Sequence, residues 1–182
     1  MVIQKKVVHG KSLTWILRCP IKKDAEELSK LRIQIDGETD NLDREAGEGI
    51  LTTKDFEKLI YDDTVAEKNL FLVAEVQGKI VGFTRCEGNN LSRFRHKAEF
   101  GIGILKEYWG FGIGKILLEN ILLWADSTEI QKIYLSVVET NTNAIQLYKK
   151  VGFKVEGILK QDRIHKNGQF YNTVIMGRFK IL

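Results

Sequence analysis

Short runs of apolar residues mark three strands in the middle of the chain, over residues 70–76, 79–86 and 97–105. Gln77-Gly78 separates the first two runs, and a two-residue gap that ends in glycine is typical of a tight β-hairpin. The pattern therefore predicts an antiparallel pair of strands followed by a third strand.

The first third of the chain mixes extended and helical patterns. Residues 13–17 predict a strand, and residues 23–32 carry apolar side chains at helical spacing, with Asp24 near the start as a candidate cap. Residues 36–50 are rich in Gly, Asp and Glu and have few apolar anchors, which favours a mobile loop. Residues 53–67 predict a second helix.

The last third alternates between helical and extended patterns. It predicts helices over 112–127 and 142–151, and strands over 133–138, 158–165 and 170–179. Gly152 is a typical residue for ending the second of these helices, and Asn167-Gly168 is a strong hairpin signal. This order of elements predicts an α/β (α+β) fold, in which a mixed sheet carries helices on its faces.

The composition is that of one soluble globular domain over residues 1–182. Pro20 is the only proline, no linker or repeat interrupts the chain, and 43% of residues are hydrophobic against 29% charged. No apolar run approaches the ~20 residues of a bilayer-spanning helix, and residues 13–17 are too few for a signal-peptide core. Cys19 and Cys86 lack disulfide or metal-ligand spacing. We therefore expect a cytoplasmic protein without a metal or membrane partner.

The net charge of +4 suits a polyanionic ligand such as a nucleotide or coenzyme. The densest basic cluster, over residues 93–97, is typical of a solvated loop between strands. A basic pI of about 9.0 is the one feature that suggests nucleic acid, and no helix-turn-helix pattern accompanies it. We therefore do not expect nucleic acid as a partner.

A glycine-rich turn, W-G-F-G-I-G-K over residues 109–115, follows a predicted strand and opens a predicted helix. Unpaired amides and the helix dipole make such a turn an anion site, to which Lys115 would add charge. The phosphate loop G-x-x-x-x-G-K-[ST] fails at Trp109 and Ile116, and G-x-G-x-x-G fails at Lys115. The turn therefore predicts either an anion site of another kind or tight packing of helix against strand.

A second motif, N-T-N-A-I-Q-L-Y-K-K-V-G-F over residues 141–153, lies one helix and one strand further on. Together with Gly112 and Gly114 it resembles the GNAT superfamily of acyl-CoA N-acyltransferases, which carry [QR]-x-x-G-x-[GA] and then N-x-x-A-x-x-L-Y-x-x-x-G-F. Trp109 departs from the usual Arg or Gln, yet Y-W-G-x-G is similar to the branch of ribosomal-protein N-terminal and polyamine acetyltransferases. The resemblance covers residues 70–179 well.

The resemblance implies a mixed, mostly antiparallel twisted sheet flanked by helices, and transfer of acetyl from acetyl-CoA to a primary amine in a ternary complex. The backbone of Ile102, Gly103 and Ile104 would pair with the pantetheine arm, as an added strand does. The residues expected to bind the pyrophosphate are Gly110, Phe111, Gly112, Ile113, Gly114 and Lys115. Asn141, with Asn143 as the weaker candidate, would bond the coenzyme, although Asn141 suits a helix cap equally well.

Tyr148 stands where the family places its general acid, and a phenol can protonate a leaving thiolate. Glu99 is the candidate general base, or alternatively a rim carboxylate bonded to a neighbour. A glutamate that the ribosomal-protein branch carries on the next strand is replaced here by Ser136.

The acidic stretch at residues 36–48 is expected to line the acceptor site and attract a cationic amine, or else to be a solvated loop. The acceptor would be a small amine, a polyamine or a protein N-terminus, and the protein a possible homodimer. A non-catalytic acyl-CoA-binding module of the same fold stays open as an alternative.

Overall fold

The computed structural model describes residues 3–10 and 12–180. The strands are β1 (Lys6–His9), β2 (Thr14–Arg18), β3 (Leu70–Val76), β4 (Lys79–Gly88), β5 (Lys97–Ile104), β6 (Lys132–Val138), β7 (Lys154–Ile164) and β8 (Phe170–Phe179), and the helices are α1 (Ala25–Glu38), α2 (Thr53–Val65), α3 (Ile113–Asp126) and α4 (Thr142–Lys150). Within these residues one sheet has the order β1-β2-β3-β4-β5-β6-β8-β7. Only β5 and β6 pair in parallel, so the predicted fold class is confirmed.

The two hairpin signals of the sequence and the helix-ending role of Gly152 are confirmed. Gln77 and Gly78, between β3 and β4, have φ of 49° and 82°, and a primed two-residue turn needs positive φ at both positions. Gly168 has φ of 76° in the β7–β8 turn, and Gly152 has φ of 96° just after α4. Local turn chemistry therefore specifies these chain reversals.

The first helix is longer than the sequence predicted, so residues 36–38 are helical and the expected loop starts later. Arg32 Nε pairs with the Asp36 carboxylate at 2.8 Å, and Gln34 Nε2 donates to Glu38 at 2.9 Å. Ile35 between them is buried. These contacts at i,i+4 spacing extend the helix beyond the apolar pattern on which the prediction rested.

Two other details at the N-terminal end differ from the prediction. The Asp24 carboxylate does not cap α1; it accepts from the Ile21 amide at 2.7 Å and pairs with Arg18 at 2.6 Å. Strand β1 was not predicted, because it is an edge strand whose side chains are mostly exposed and lack an apolar signature.

The two faces of β5 carry different helices. A Cβ on Gly114 of α3 would lie 3.2 Å from Ile104 Cδ1 and 3.8 Å from Ile102 Cδ1. A Cβ on Gly103 would instead meet Ile35 of α1 at 3.3 Å. Because successive strand residues face opposite sides, α3 covers one face of the sheet and α1 the other.

Helices α4 and α2 are divided between the same two faces of the sheet. On the α3 face, Tyr148 of α4 packs edge-on against Phe100 with ring centroids 6.0 Å apart. Helix α2 contacts both α1 and β3, and its Phe56 is buried in the core. Among the described residues, no helix combines the length and apolar character needed to cross a bilayer.

The sheet separates between β5 and β6. The two strands pair only at Lys97–Lys132, Ala98–Ile133 and Glu99–Tyr134, although both continue for several residues. Beyond Glu99 the edge of β5 is no longer paired with β6, and this divergence opens a cleft through the sheet.

Candidate active site

A cleft of about 990 Å³ occupies the divergence between β5 and β6. Its wall includes almost every residue that the sequence singled out, namely Glu99, Ile102, Gly103, Ile104, Gly110, Gly112, Ile113, Gly114, Lys115, Asn141, Asn143 and Tyr148. Phe111 is the exception, since its side chain is exposed and its ring lies 6.5 Å from that of Tyr108. The fold therefore brings three separate sequence segments to one site.

The hydrogen-bond register of β5 determines which backbone groups face the cleft. The Leu105 amide donates to the Val81 carbonyl at 3.0 Å, and residues of an antiparallel pair alternate between bonding the partner and facing away. Gly103 therefore bonds β4, whereas Ile102 and Ile104 direct their backbone groups into the gap. The expected pairing of the pantetheine arm with Ile102 and Ile104 fits this geometry. The backbone of Gly103 faces β4 instead, so this residue affects the cleft only because it has no side chain.

Trp109 ties the glycine turn to β5. Its indole Nε1 donates to the Ile104 carbonyl at 2.8 Å. The sequence showed Trp109 only as a departure from the usual Arg or Gln. In the structure it satisfies one gap-facing carbonyl and leaves the Ile104 amide and both backbone groups of Ile102 for a ligand.

The geometry of the glycine turn shows the tight packing that the sequence predicted and is compatible with the predicted anion site. Gly112 is the first half-helical residue of α3 and has φ of 82°, a conformation that favours glycine, and no side chain caps the helix amides. Gly114 allows the close packing of α3 on Ile104 described above. The same turn thus leaves amides available for an anion and holds the helix near β5. Lys115 is exposed, with its ammonium 3.7 Å from Glu119.

Asn141 caps α4, because its side-chain oxygen accepts from the Ala144 amide at 3.3 Å. The capping interpretation is therefore confirmed, and its side-chain nitrogen remains for a ligand. Asn143 is exposed at the cleft.

Tyr148 is 7% exposed and its ring lies between Phe100 and Phe153, with centroids at 6.0 and 5.7 Å. Burial raises the pKa of Tyr148 to about 12, because the phenolate would be poorly solvated there. The side chain therefore keeps its proton at physiological pH and has that proton to donate.

Glu99 lies on the opposite side of β5 from Tyr148, on the face that α1 covers. Its carboxylate accepts from the Tyr134 hydroxyl at 3.1 Å. Burial, together with the neighbouring Glu99 carboxylate, raises the pKa of Tyr134 to about 12. Tyr134 therefore remains a hydrogen-bond donor that orients Glu99.

Glu87 is a second carboxylate that the sequence did not single out. It is the cross-strand partner of Glu99 and lines the same cleft. Arg85 holds Glu87 at 2.6 Å and also binds the buried Asp63 of α2 through two hydrogen bonds, at 2.6 and 2.9 Å. Burial alone would lower the pKa of Arg85, but the bonds to both carboxylates outweigh it and raise the pKa. Only the β4–β5 register could have revealed this pairing.

The comparison with protein families decides the identity of the fold. Residues 38–153 match the model of the acetyltransferase (GNAT) family. The chain belongs to the GNAT acetyltransferase family. The matched range runs from the end of α1 through the glycine turn to Phe153, so it contains both sequence motifs.

Curated relatives of this GNAT chain include several N-acetyltransferases. The L-amino acid N-acetyltransferase of Escherichia coli is 31% identical over 110 residues, which cover 60% of this chain and 67% of that enzyme. The ribosomal protein bS18-alanine N-acetyltransferase of Haemophilus influenzae is 32% identical over 60% of this chain and 72% of its own. The spermidine N(1)-acetyltransferase of Escherichia coli is 30% identical over 69% and 64%. The resemblance to the ribosomal-protein and polyamine branch is confirmed.

Solved structures extend the likeness to nearly the whole chain. An acetyltransferase of the GNAT family from Streptococcus pneumoniae superposes with a TM-score of 0.87 at 30% identity, covering 91% of this chain and 99% of that one. The structure of yncA from Salmonella typhimurium, with acetyl-CoA as its cofactor, has a TM-score of 0.79 at 18% identity, over 92% and 94% of the two chains. The second likeness shows the fold alone.

The acidic stretch of this acetyltransferase lines the cleft through Thr39 and residues 41–44, and two of its carboxylates form ion pairs with distant residues. Asp43 pairs with Arg163 at 2.7 Å and Glu45 with Lys166 at 3.8 Å. Glu38 accepts from the Lys106 amide at 2.7 Å and Glu48 from a backbone amide at 2.9 Å. Asp43 and Glu45 are therefore already paired, whereas Glu38 and Glu48 accept from neutral N–H groups and keep their negative charge.

Proposed function

We propose that this protein transfers the acetyl group of acetyl-CoA to a primary amine by direct attack in a ternary complex. One observation carries the proposal, namely the divergence of β5 from β6 beside the glycine turn. As a result, the gap-facing backbone groups of Ile102 and Ile104, the N-terminus of α3 and the buried phenol of Tyr148 line one cleft. The extended pantetheine arm of the coenzyme would pair with β5. The oxygens of the coenzyme's pyrophosphate would accept hydrogen bonds from the first amides of α3.

Acid and base would act from opposite faces of β5. The amine nitrogen attacks the thioester carbonyl, and the Ile104 amide can stabilise the oxyanion that develops. As the carbon–sulfur bond breaks, Tyr148 donates its proton to the leaving thiolate, since burial has kept that proton in place. Glu99, held by Tyr134 on the α1 side, removes a proton from the attacking amine.

Neither cysteine supports a covalent acyl-enzyme. Cys19 and Cys86 do not line the cleft, and burial raises the pKa of both thiols, which disfavours the nucleophilic thiolate. Direct attack is therefore the simpler route.

The test is a thiol-release screen with acetyl-CoA and amines of several classes, namely polyamines, aminoglycosides, peptides with free N-termini and amino acids. We expect one class to release coenzyme A together with acetylated product. Calorimetry should show acetyl-CoA binding in parallel. Binding without release with any amine would instead identify the non-catalytic acyl-CoA-binding module.

Glu99→Gln tests the base, and Glu87→Gln is its matched control because Glu87 is the neighbouring carboxylate already held by Arg85. We expect Glu99→Gln to lower kcat by about 10²-fold or more and to remove the acidic limb of the pH–rate profile. Glu87→Gln should preserve that limb. An unchanged profile in Glu99→Gln excludes Glu99 as the base.

A further inference from the structure

Arg32 of α1 has an incompletely used guanidinium group. Its Nε bonds both oxygens of Asp36, at 2.9 and 2.8 Å. Its two terminal nitrogens form no hydrogen bond with any other residue that the structure describes, and the side chain, 23% exposed, lines the cleft. Both terminal nitrogens are therefore available to a ligand.

The guanidinium lies on the acceptor side of β5. Its central carbon is 5.9 Å from the centre of the Phe83 ring, and Phe83 is the cross-strand partner of Gly103. A Cβ on Gly103 would touch Phe83 Cζ at 3.4 Å, whereas a Cβ on Gly101 would have no atom within 4 Å. Arg32 therefore lines the open part of the cleft on the α1 side of β5, near Gly103.

Two other charged groups of this side of the cleft are engaged by ion pairs, while Glu99 accepts from the neutral Tyr134 hydroxyl. Arg85 uses Nε and both terminal nitrogens on Asp63 and Glu87, and Asp43 is paired with Arg163. A planar guanidinium with two parallel N–H groups matches a carboxylate, and the adjoining ring of Phe83 limits competing water. On this face the Arg32 guanidinium has unused N–H groups and the Glu99 carboxylate lines the same cleft, so the two fit the carboxylate and the amine of one acceptor better than they fit a polyamine, which has no anionic group.

We infer that Arg32 is a specificity-determining residue that binds the carboxylate of the acceptor, so that the acceptor class is a small carboxylated amine such as an α-amino acid. The inference rests on the proposed function. Apolar side chains of Leu51, Phe56 and Leu59 also line the cleft, so an apolar amino acid suits the remaining space.

The decisive comparison uses L-leucine and L-leucinamide, which differ in the carboxylate. Because Arg32→Gln alone would leave Asp36 buried without its cation, the test variant is Arg32→Gln with Asp36→Asn, and Asp36→Asn is its reference. Relative to that reference, we expect the double variant to raise the KM for L-leucine about 10–100-fold, as loss of a charge-assisted contact does. The KM for L-leucinamide should change less than about threefold.

Two readouts separate this inference from the proposed function. Turnover of L-leucine and L-leucinamide with equal efficiency by the wild type, or equal KM changes in the variant, overturns the role of Arg32 and leaves acetyl transfer intact. If no amine is acetylated, calorimetric binding of L-leucine to the coenzyme A-loaded protein still decides. Binding that weakens in the double variant supports Arg32, and absence of binding overturns it.

Discussion

Replacing Tyr148 with phenylalanine removes one oxygen atom and keeps the ring between Phe100 and Phe153. Among the described residues, the hydroxyl has no hydrogen-bond partner, so we expect the free energy of unfolding at neutral pH to change by less than about 1 kcal/mol. The general-acid role predicts a much larger effect on catalysis, with kcat lower by about 10²–10⁴-fold.

The same substitution should alter the alkaline stability. Burial raises the pKa of Tyr148 from 10.0 to about 12, and two pKa units correspond to about 3 kcal/mol. Since the folded pKa is the higher one, the unfolded chain ionises first, so the free energy of unfolding has its full value below pH 10 and falls by this amount as the pH rises from 10 to 12. We expect this fall in the wild type and not in Tyr148→Phe, which has no phenolic proton to lose. Tyr134 ionises in both proteins and cancels in the comparison.

Thiol release at saturating acetyl-CoA measures the catalytic effect, and urea unfolding at pH 8, 10 and 11 measures the stability difference. Full turnover in Tyr148→Phe would remove Tyr148 from the mechanism. A stability that falls equally with pH in both proteins would refute burial as the cause of the raised pKa.

Two further glycine substitutions test the division of the cleft into a coenzyme side and an acceptor side. Gly114→Val should raise the KM for acetyl-CoA about tenfold. A Cβ at this position would already lie 3.2 Å from Ile104 Cδ1, and the added methyl groups would push α3 away from β5. Calorimetry with coenzyme A measures the loss of affinity. Gly101→Val should leave coenzyme affinity and stability nearly unchanged, because its Cβ meets no atom within 4 Å, but should raise the acceptor KM about tenfold. A reversed pattern in the two KM values would contradict the assignment of the two faces.

The acidic stretch shows why sequence proximity of charges is a weak guide to a binding surface. Along the chain, residues 36–48 are a concentration of negative charge that predicts either a site for a cationic ligand or a solvated loop. In the fold, Arg163 of β7 pairs with Asp43 and donates to the Leu42 carbonyl, 121 positions earlier in the sequence. Ion pairs with residues that are distant in the sequence cannot be predicted from the charges of one segment alone.

From β2 onward, the sequence by itself determined the order of strands and helices, the hairpins and the glycine turn, because periodicity and turn conformation depend on residues only a few positions apart. It also placed Tyr148 and the turn in one family motif set. Only the tertiary structure decided that β5 and β6 diverge after Glu99, that Glu99 and Tyr148 lie on opposite faces of β5, and that the terminal nitrogens of Arg32 have no hydrogen-bond partner among residues 3–10 and 12–180. These features depend on strand register and on contacts between side chains from distant segments. Both are determined by the packing of the whole domain.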